Sequence, residues 1–129
     1  VRAALTCFRR AETASGVRSS TGAPDRRLLA CAACRRQVTS AEARIEVAAS
    51  HEHTFANPHG FVFRIGCFSR AECALVGPRS AEWSWFPPHL WQLAHCPACA
   101  SHLGWRFTAE ASAFYGLVLD RLIEIEAPS

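Results

Sequence analysis

Two Cys-x-x-Cys pairs, Cys31/Cys34 and Cys96/Cys99, constrain this 129-residue chain more than any other feature. A two-residue spacer lets both sulfurs of a tight turn point at one ion, and four thiolates complete a tetrahedral Zn²⁺ site with no position left for water or substrate. One structural zinc is therefore expected, held by Cys31, Cys34, Cys96 and Cys99. It would tie the beginning of the folded region to its end. Seven cysteines are an odd count, and the pattern fits a reducing compartment and a metal better than a disulfide framework. Redox chemistry at a single pair would need a strand-to-helix context, and neither pair precedes a helical pattern. Cys7, Cys67 and Cys73 read as bystanders, with Cys67 a small core residue in an apolar strand. His95 and His102 flank the second pair and read as supporting or surface histidines.

Half of the residues are hydrophobic and 19% are charged, the balance of a globular domain with a core of its own. No apolar run approaches the ~20 residues that span a bilayer. VRAALTCFRR has arginines on both sides of a very short apolar patch, which does not read as a signal peptide, and a cytoplasmic location is the expectation. All fourteen basic residues are Arg. Residues 1–36 carry eight of them against Glu12 and Asp25, a net of +6, while the remainder carries six against nine acids, a net of −3. Residues 1–27 are expected to be a basic, flexible arm and 28–129 the folded domain. The arm suits an acidic partner or nucleic acid, but reads more simply as a solvated tail. The mildly acidic remainder argues against a phosphate-tracking groove.

Along the domain, LLACAACRRQV reads as strand, knuckle and return strand. ARIEVAAS alternates as a strand, and HEHTFANPHG reads as a loop punctuated by Asn57-Pro58 and Gly60. FVFRIGCF is an alternating strand. SRAECALVG is expected to form a turn of helix closed by Gly77-Pro78. WSWF, LWQLAHC and LGWRFT read as short strands, and the ambiguous AFYGLVLDRLIEI is read as a strand for its β-branched and aromatic content.

Three of the four tryptophans, Trp83, Trp85 and Trp91, fall within nine residues, and Trp105 follows the second knuckle. An isolated Trp is ordinarily core. Here Pro87-Pro88 interrupts the ladder just after Trp85, Trp91 re-enters beyond the turn, and Trp105 and Phe107 repeat an i, i+2 spacing. Rings from two strands and a bent loop can converge as the walls of a pocket.

WSWF, the Trp six residues later, CPACASHLGWRF and the upstream NPHG resemble the thalidomide-binding (CULT) domain of the cereblon family, over roughly 28–122 and in the same order. The compact length is similar to bacterial single-domain members. The resemblance implies a mainly β fold, the β-tent of two antiparallel sheets pinned by one structural zinc. It further implies a non-catalytic module that binds cyclic imides of glutarimide type, thalidomide analogues or uracil-like rings, whether free or as the C-terminal cyclic imide of a protein. By that match Trp85, Trp91 and Trp105 form a three-tryptophan cage with Phe107 as a further wall. Trp83 and Trp85 offer main-chain groups to the imide with Ser84 between them. Asn57 and Pro58, with His59 beside them, cover the mouth, and Glu82 and Phe63 stand at the rim.

The sequence departs from the family at Trp83, where the human protein has His, and at Pro88-His89, which replaces a Gly-aromatic pair. The Lon-like and adaptor-binding regions of the eukaryotic members have no counterpart here, so a ligase-receptor role is not implied. Neither is a membrane partner. Two alternatives stand beside the binding module. One is an enzyme on a zinc-pinned fold related to methionine sulfoxide reductases, which needs an accessible nucleophilic cysteine. The other is a nucleic-acid-binding zinc module using stacked aromatics. The zinc-deaminase signature fails, because His51-Glu52-His53 puts Glu one place early and His, not Pro, precedes Cys96.

Overall fold

A computed structural model describes residues 26–126. The expectations for residues 1–25, including most of the basic arm and Cys7, lie outside the described residues. The fold is mainly β, with nine strands in two antiparallel sheets among the described residues. β1 (Leu28–Cys31), β2 (Gln37–Ser40) and β9 (Leu122–Ile125) form the smaller sheet in the order β2-β1-β9. The larger sheet has six strands in the order β3-β4-β8-β7-β6-β5. They are β3 (Glu52–Ala56), β4 (Val62–Phe68), β5 (Ala74–Ser80), β6 (Leu90–His95), β7 (His102–Ala109) and β8 (Ser112–Val118). Single 3-10 turns at Ala41–Ala43 and Leu119–Arg121 are the only helical segments among the described residues. No helix there is long and apolar enough to cross a membrane.

The chain passes from the small sheet to the large one and returns through the Leu119–Arg121 turn into β9, which pairs with β1. Between the sheets lies a cluster containing Cys31, Val38, Phe68, Cys96, Leu103 and Leu117. A second cluster, of Ile65, Cys67, Phe86, Trp105, Phe107, Phe114 and Val118, continues along the large sheet. Leu103, Trp105 and Phe107 alternate on β7, so one face of that strand runs from the first cluster into the second.

Four segments differ from the sequence reading. ARIEVAAS is no strand: it begins in a 3-10 turn, and Ala48 and Ala49 take left-handed backbone (φ 52° and 72°) to close a turn from Val47 to Ser50. Half of HEHTFANPHG, Glu52–Ala56, is strand β3, and Asn57–Gly60 form the loop that follows. Its half-polar alternation is that of an edge strand, with His53 and Phe55 turned inward. SRAECALVG contributes to β5, not to a helix. Pro78 is tolerated because β5 is an edge paired only with β6, across a bulge between Val76 and Ser80. WSWF is a loop, because Trp83 adopts φ 59° and leaves the extended region. Trp83 and Trp85 therefore do not share one side of a strand. The knuckle hairpin, β4, β6 and β7 lie where the sequence predicts them, and AFYGLVLDRLIEI is two strands, β8 and β9, split by a 3-10 turn.

Candidate functional site

The two knuckles are local copies of one turn. In each, the first Cys N–H donates to the carbonyl five residues on, Arg36 in one and Ser101 in the other, both at 2.8 Å. Its carbonyl accepts from the residue after the second Cys, Arg35 at 2.7 Å and Ala100 at 2.9 Å. Those residues are left-handed, with φ 69° and 65°. The turn closes on itself and points both sulfurs the same way. Across the knuckles Cys31 Sγ lies 3.7 Å from Cys99 Sγ, and Cys34 Sγ 3.6 Å from Cys96 Sγ. All four sulfurs fall within 4.8 Å of one another, and none is in a disulfide. This is a four-cysteine cluster able to hold one metal ion. Hydrogen bonds from Ser101 draw the Cys99 thiol down to about 6, while Cys34 is pushed up to about 11, against the hydrogen bond from Arg36, by burial and its cysteine neighbours.

β7 leaves the second knuckle directly and carries Trp105 and Phe107 to the other site. A cavity of about 610 Å³ is lined by Asn57, Pro58 and His59 from the β3–β4 loop, Phe63 from β4, and Trp83 and Trp85 from the β5–β6 loop. Trp91 and Leu93 of β6, with His102, Trp105 and Phe107 of β7, complete it. Nine of the residues singled out in the sequence thus surround one cavity: Asn57, Pro58, His59, Phe63, Trp83, Trp85, Trp91, Trp105 and Phe107. Ser84 and Glu82 do not line it. The Ser84 hydroxyl donates to the His89 carbonyl at 2.6 Å, and the Glu82 carbonyl accepts the Trp91 indole N–H at 2.6 Å.

The indoles are held as walls. Trp85 Nε1–H donates to the Ala56 carbonyl at 3.2 Å, and its ring stacks on Phe55 and meets Trp105 edge-on at 4.8 Å. Phe63 closes the corner, 5.2 Å edge-on to Trp105. Such pairs contribute about 0.5–1.5 kcal/mol each beyond area burial, and they fix ring orientation. Trp83 is different: its side chain is 71% exposed. Its carbonyl and the Trp85 N–H have no hydrogen-bond partner among the described residues, which leaves an acceptor and a donor two residues apart on residues that line the cavity.

Asn57 shapes the opposite rim. Its Oδ1 accepts from the His59 and Phe61 amides at 3.0 and 2.9 Å, closing the turn that also brings Pro58 to the mouth. Two lining residues escaped the sequence reading. Leu93 follows Trp91 by two on β6 and pairs with Trp105, so the strand alternation was its signal. His102 reads from the sequence as a knuckle neighbour. In the fold its ring packs edge-on against Trp105 at 4.8 Å. Nε2–H donates to the Gly104 carbonyl at 2.9 Å, and Arg121 donates to Nδ1 at 3.3 Å and to the His102 carbonyl at 2.8 Å. Burial, with Arg121 and His95 nearby, lowers its pKa from the ordinary 6.5. A neutral imidazole therefore borders the cavity.

Fold and site together define a two-sheet β domain with a four-cysteine pin and an aromatic-walled cavity. No protein-family model matches the chain. It is similar to cereblon of Xenopus tropicalis, at 39% identity over 74 residues, which is 53% of this chain and 17% of that protein. Cereblon of Gallus gallus is 35% identical over 75 residues, 54% of this chain and 17% of that protein. Cereblon of Drosophila melanogaster is 31% identical over 71 residues, 49% and 12% respectively. These matches, over about half of the chain, support a cereblon-type domain. The chain spans less than a fifth of the length of these curated relatives.

Proposed function

We propose that this chain is a non-catalytic receptor for small cyclic imides, with one structural zinc. The observation that carries the reading is the free carbonyl of Trp83 and the free N–H of Trp85 beside the three indoles Trp85, Trp91 and Trp105. A glutarimide edge offers acceptor, donor, acceptor. The imide N–H suits the Trp83 carbonyl and one imide carbonyl suits the Trp85 N–H, while the ring methylenes pack among the indoles. A buried donor or acceptor left unpaired costs about 1–3 kcal/mol, so the pair selects for an imide over a plain apolar ring. Aromatic walls with few polar groups are the usual make-up of a small-molecule site. Natural guests of this class are free cyclic imides, uracil-like rings, and C-terminal cyclic imides of proteins.

Zinc suits the cysteine cluster. At the ~2.3 Å Zn–S distance a regular tetrahedron has edges of about 3.8 Å, close to the two inter-knuckle sulfur contacts. The ion would supply rigidity, and the four thiolates would leave it no open position for chemistry. The enzymatic alternative needs a reactive thiol. Burial raises Cys67 to about 12, and burial with Cys96 nearby raises Cys73 to about 12, so both stay protonated at neutral pH.

Titration of the protein with glutarimide, followed by intrinsic Trp fluorescence, tests the proposal. Saturable quenching is expected, with loss of about 30-fold or more in affinity for Trp85→Ala and for Trp105→Ala. Quenching that persists unchanged in both variants refutes the cage.

A further inference from the structure

The loop that presents the Trp83–Trp85 edge is not free to wander, and the residue that secures it is one the imide reading does not use. His89 is buried, 3% exposed, at the end of the Pro87-Pro88 turn. Its N–H donates to the Phe86 carbonyl at 2.7 Å, and its ring Nδ1 lies 2.9 Å from the same oxygen. A carbonyl only accepts, so Nδ1 carries the proton. The other ring nitrogen, Nε2, lies 2.6 Å from the Ser112 hydroxyl and makes a second hydrogen bond there. Ser112 opens β8 and pairs with Ala109 across the β7–β8 hairpin, so the imidazole bridges the loop to the frame of the large sheet. The ring also packs edge-on to Phe114 at 5.3 Å. On the other side of Trp85, the Ser84 hydroxyl donates to the His89 carbonyl at 2.6 Å and accepts from the Phe86 N–H at 3.3 Å.

We propose that His89 is a positioning residue for the ligand site, latching the cage loop to Ser112 so that the free Trp85 N–H and Trp83 carbonyl stand in place before a guest arrives. This rests on the imide reading above. Both sequence neighbours of Trp85 are fixed by this one device: Ser84 through its bond to His89, and Phe86 through the carbonyl that His89 holds. Without it, a guest would have to order the loop itself, and affinity would fall by that cost. Trp85 also has its own tie to the Ala56 carbonyl, but that bond orients the indole and not the peptide edge.

The test uses the whole chain and three variants. Ser112→Ala removes the hydroxyl and leaves the imidazole, Ser112→Thr restores the hydroxyl, and His89→Phe keeps a ring without nitrogens. Residue-resolved amide exchange is read at Phe86 and His89, whose N–H groups are bonded within the loop, with β1 and β9 amides as the reference. Glutarimide affinity is measured alongside. Ser112→Ala and His89→Phe are expected to speed exchange at Phe86 and His89 about tenfold while β1 and β9 hold, and to weaken glutarimide about tenfold, with Ser112→Thr close to wild type. Nitrogen chemical shifts of the wild-type ring are expected to put the proton on Nδ1. Unchanged exchange, exchange raised equally in β1 and β9, or faster local exchange at unchanged affinity each overturn the proposal. Failure of the wild-type protein to bind glutarimide removes the imide reading itself and the positioning role with it, and is distinct from those three results.

Discussion

Gly104 links the cysteine knuckle to the cage, and replacing it with alanine should damage both. It lies on β7 between His102 and Trp105, paired with Ala94 on β6 and Leu117 on β8. A Cβ at this position would stand 2.1 Å from the Gly116 carbonyl oxygen and 2.8 Å from Leu117 Cα. Both obstacles are backbone, so no rotamer change relieves them. β8 would have to retreat by about 1 Å in a part of the sheet packed on both sides, where overpacking typically costs 1–3 kcal/mol and occasionally more. Because the clash is with the ladder itself, we expect about 3 kcal/mol or more, a fall of roughly 12–24 °C or more in melting temperature for a domain near 100 residues. The surviving folded protein should bind glutarimide more weakly, since Trp105 is the adjacent residue. Gly60→Ala is the control: nothing lies within 4 Å of its Cβ, and only the φ of 89° opposes it. That variant should lose about 1 kcal/mol. Chemical and thermal unfolding of both variants decides the matter. A Gly104→Ala protein no less stable than Gly60→Ala refutes the steric account.

Other consequences are open to simple measurement. Trp83→Ala should leave glutarimide affinity within about twofold, because that residue offers the guest its carbonyl and its exposed side chain holds nothing in place; calorimetric titration reads this. Chelation at neutral pH should release close to one zinc per chain and collapse the near-ultraviolet circular dichroism of the cage tryptophans, since the pin joins sulfurs 62 and 68 positions apart in sequence. Burial, with Arg44 nearby, lowers the pKa of His51 from 6.5 while its ring Nδ1–H donates to the Ile45 carbonyl. The unfolded imidazole therefore takes up a proton first, and this group removes stability as pH falls below about 6.5. With zinc saturating, His51→Asn should show a shallower loss of stability between pH 7 and 5 in denaturant melts.

Much of this is legible in the sequence, for reasons that belong to particular residues. The knuckles announce themselves through spacing alone, and the alternation in β4, β6 and β7 is dictated by a buried inner face. Nine residues named from the sequence line one cavity, because β6 and β7 set Trp91 against Phe107 and Trp105 beside them, while β4 and the loops before β4 and β6 bring the rest to the same end of the sheet. The failures cluster at edges and turns. β3 and β5 pair on one side only, so His, Glu, Gly and Pro are tolerated there and the pattern reads as loop or helix. Left-handed backbone at Ala48, Ala49 and Trp83 carries no compositional mark, since none of the three is Gly or Asn. Those residues turn ARIEVAAS and WSWF away from the strands their composition favours. His102 and His89 were invisible as partners of the cage because their contacts, Arg121 and Ser112, lie far along the chain.

The most direct test of the central claim is a pair of calorimetric titrations, one with glutarimide and one with N-methylglutarimide. The methyl group removes the only donor on the imide edge and adds bulk where the Trp83 carbonyl stands, while the ring that packs among the indoles is kept. The account predicts saturable one-to-one binding of glutarimide and a loss of about 30-fold or more on methylation. Equal affinity for the two compounds, or no binding of either, contradicts it.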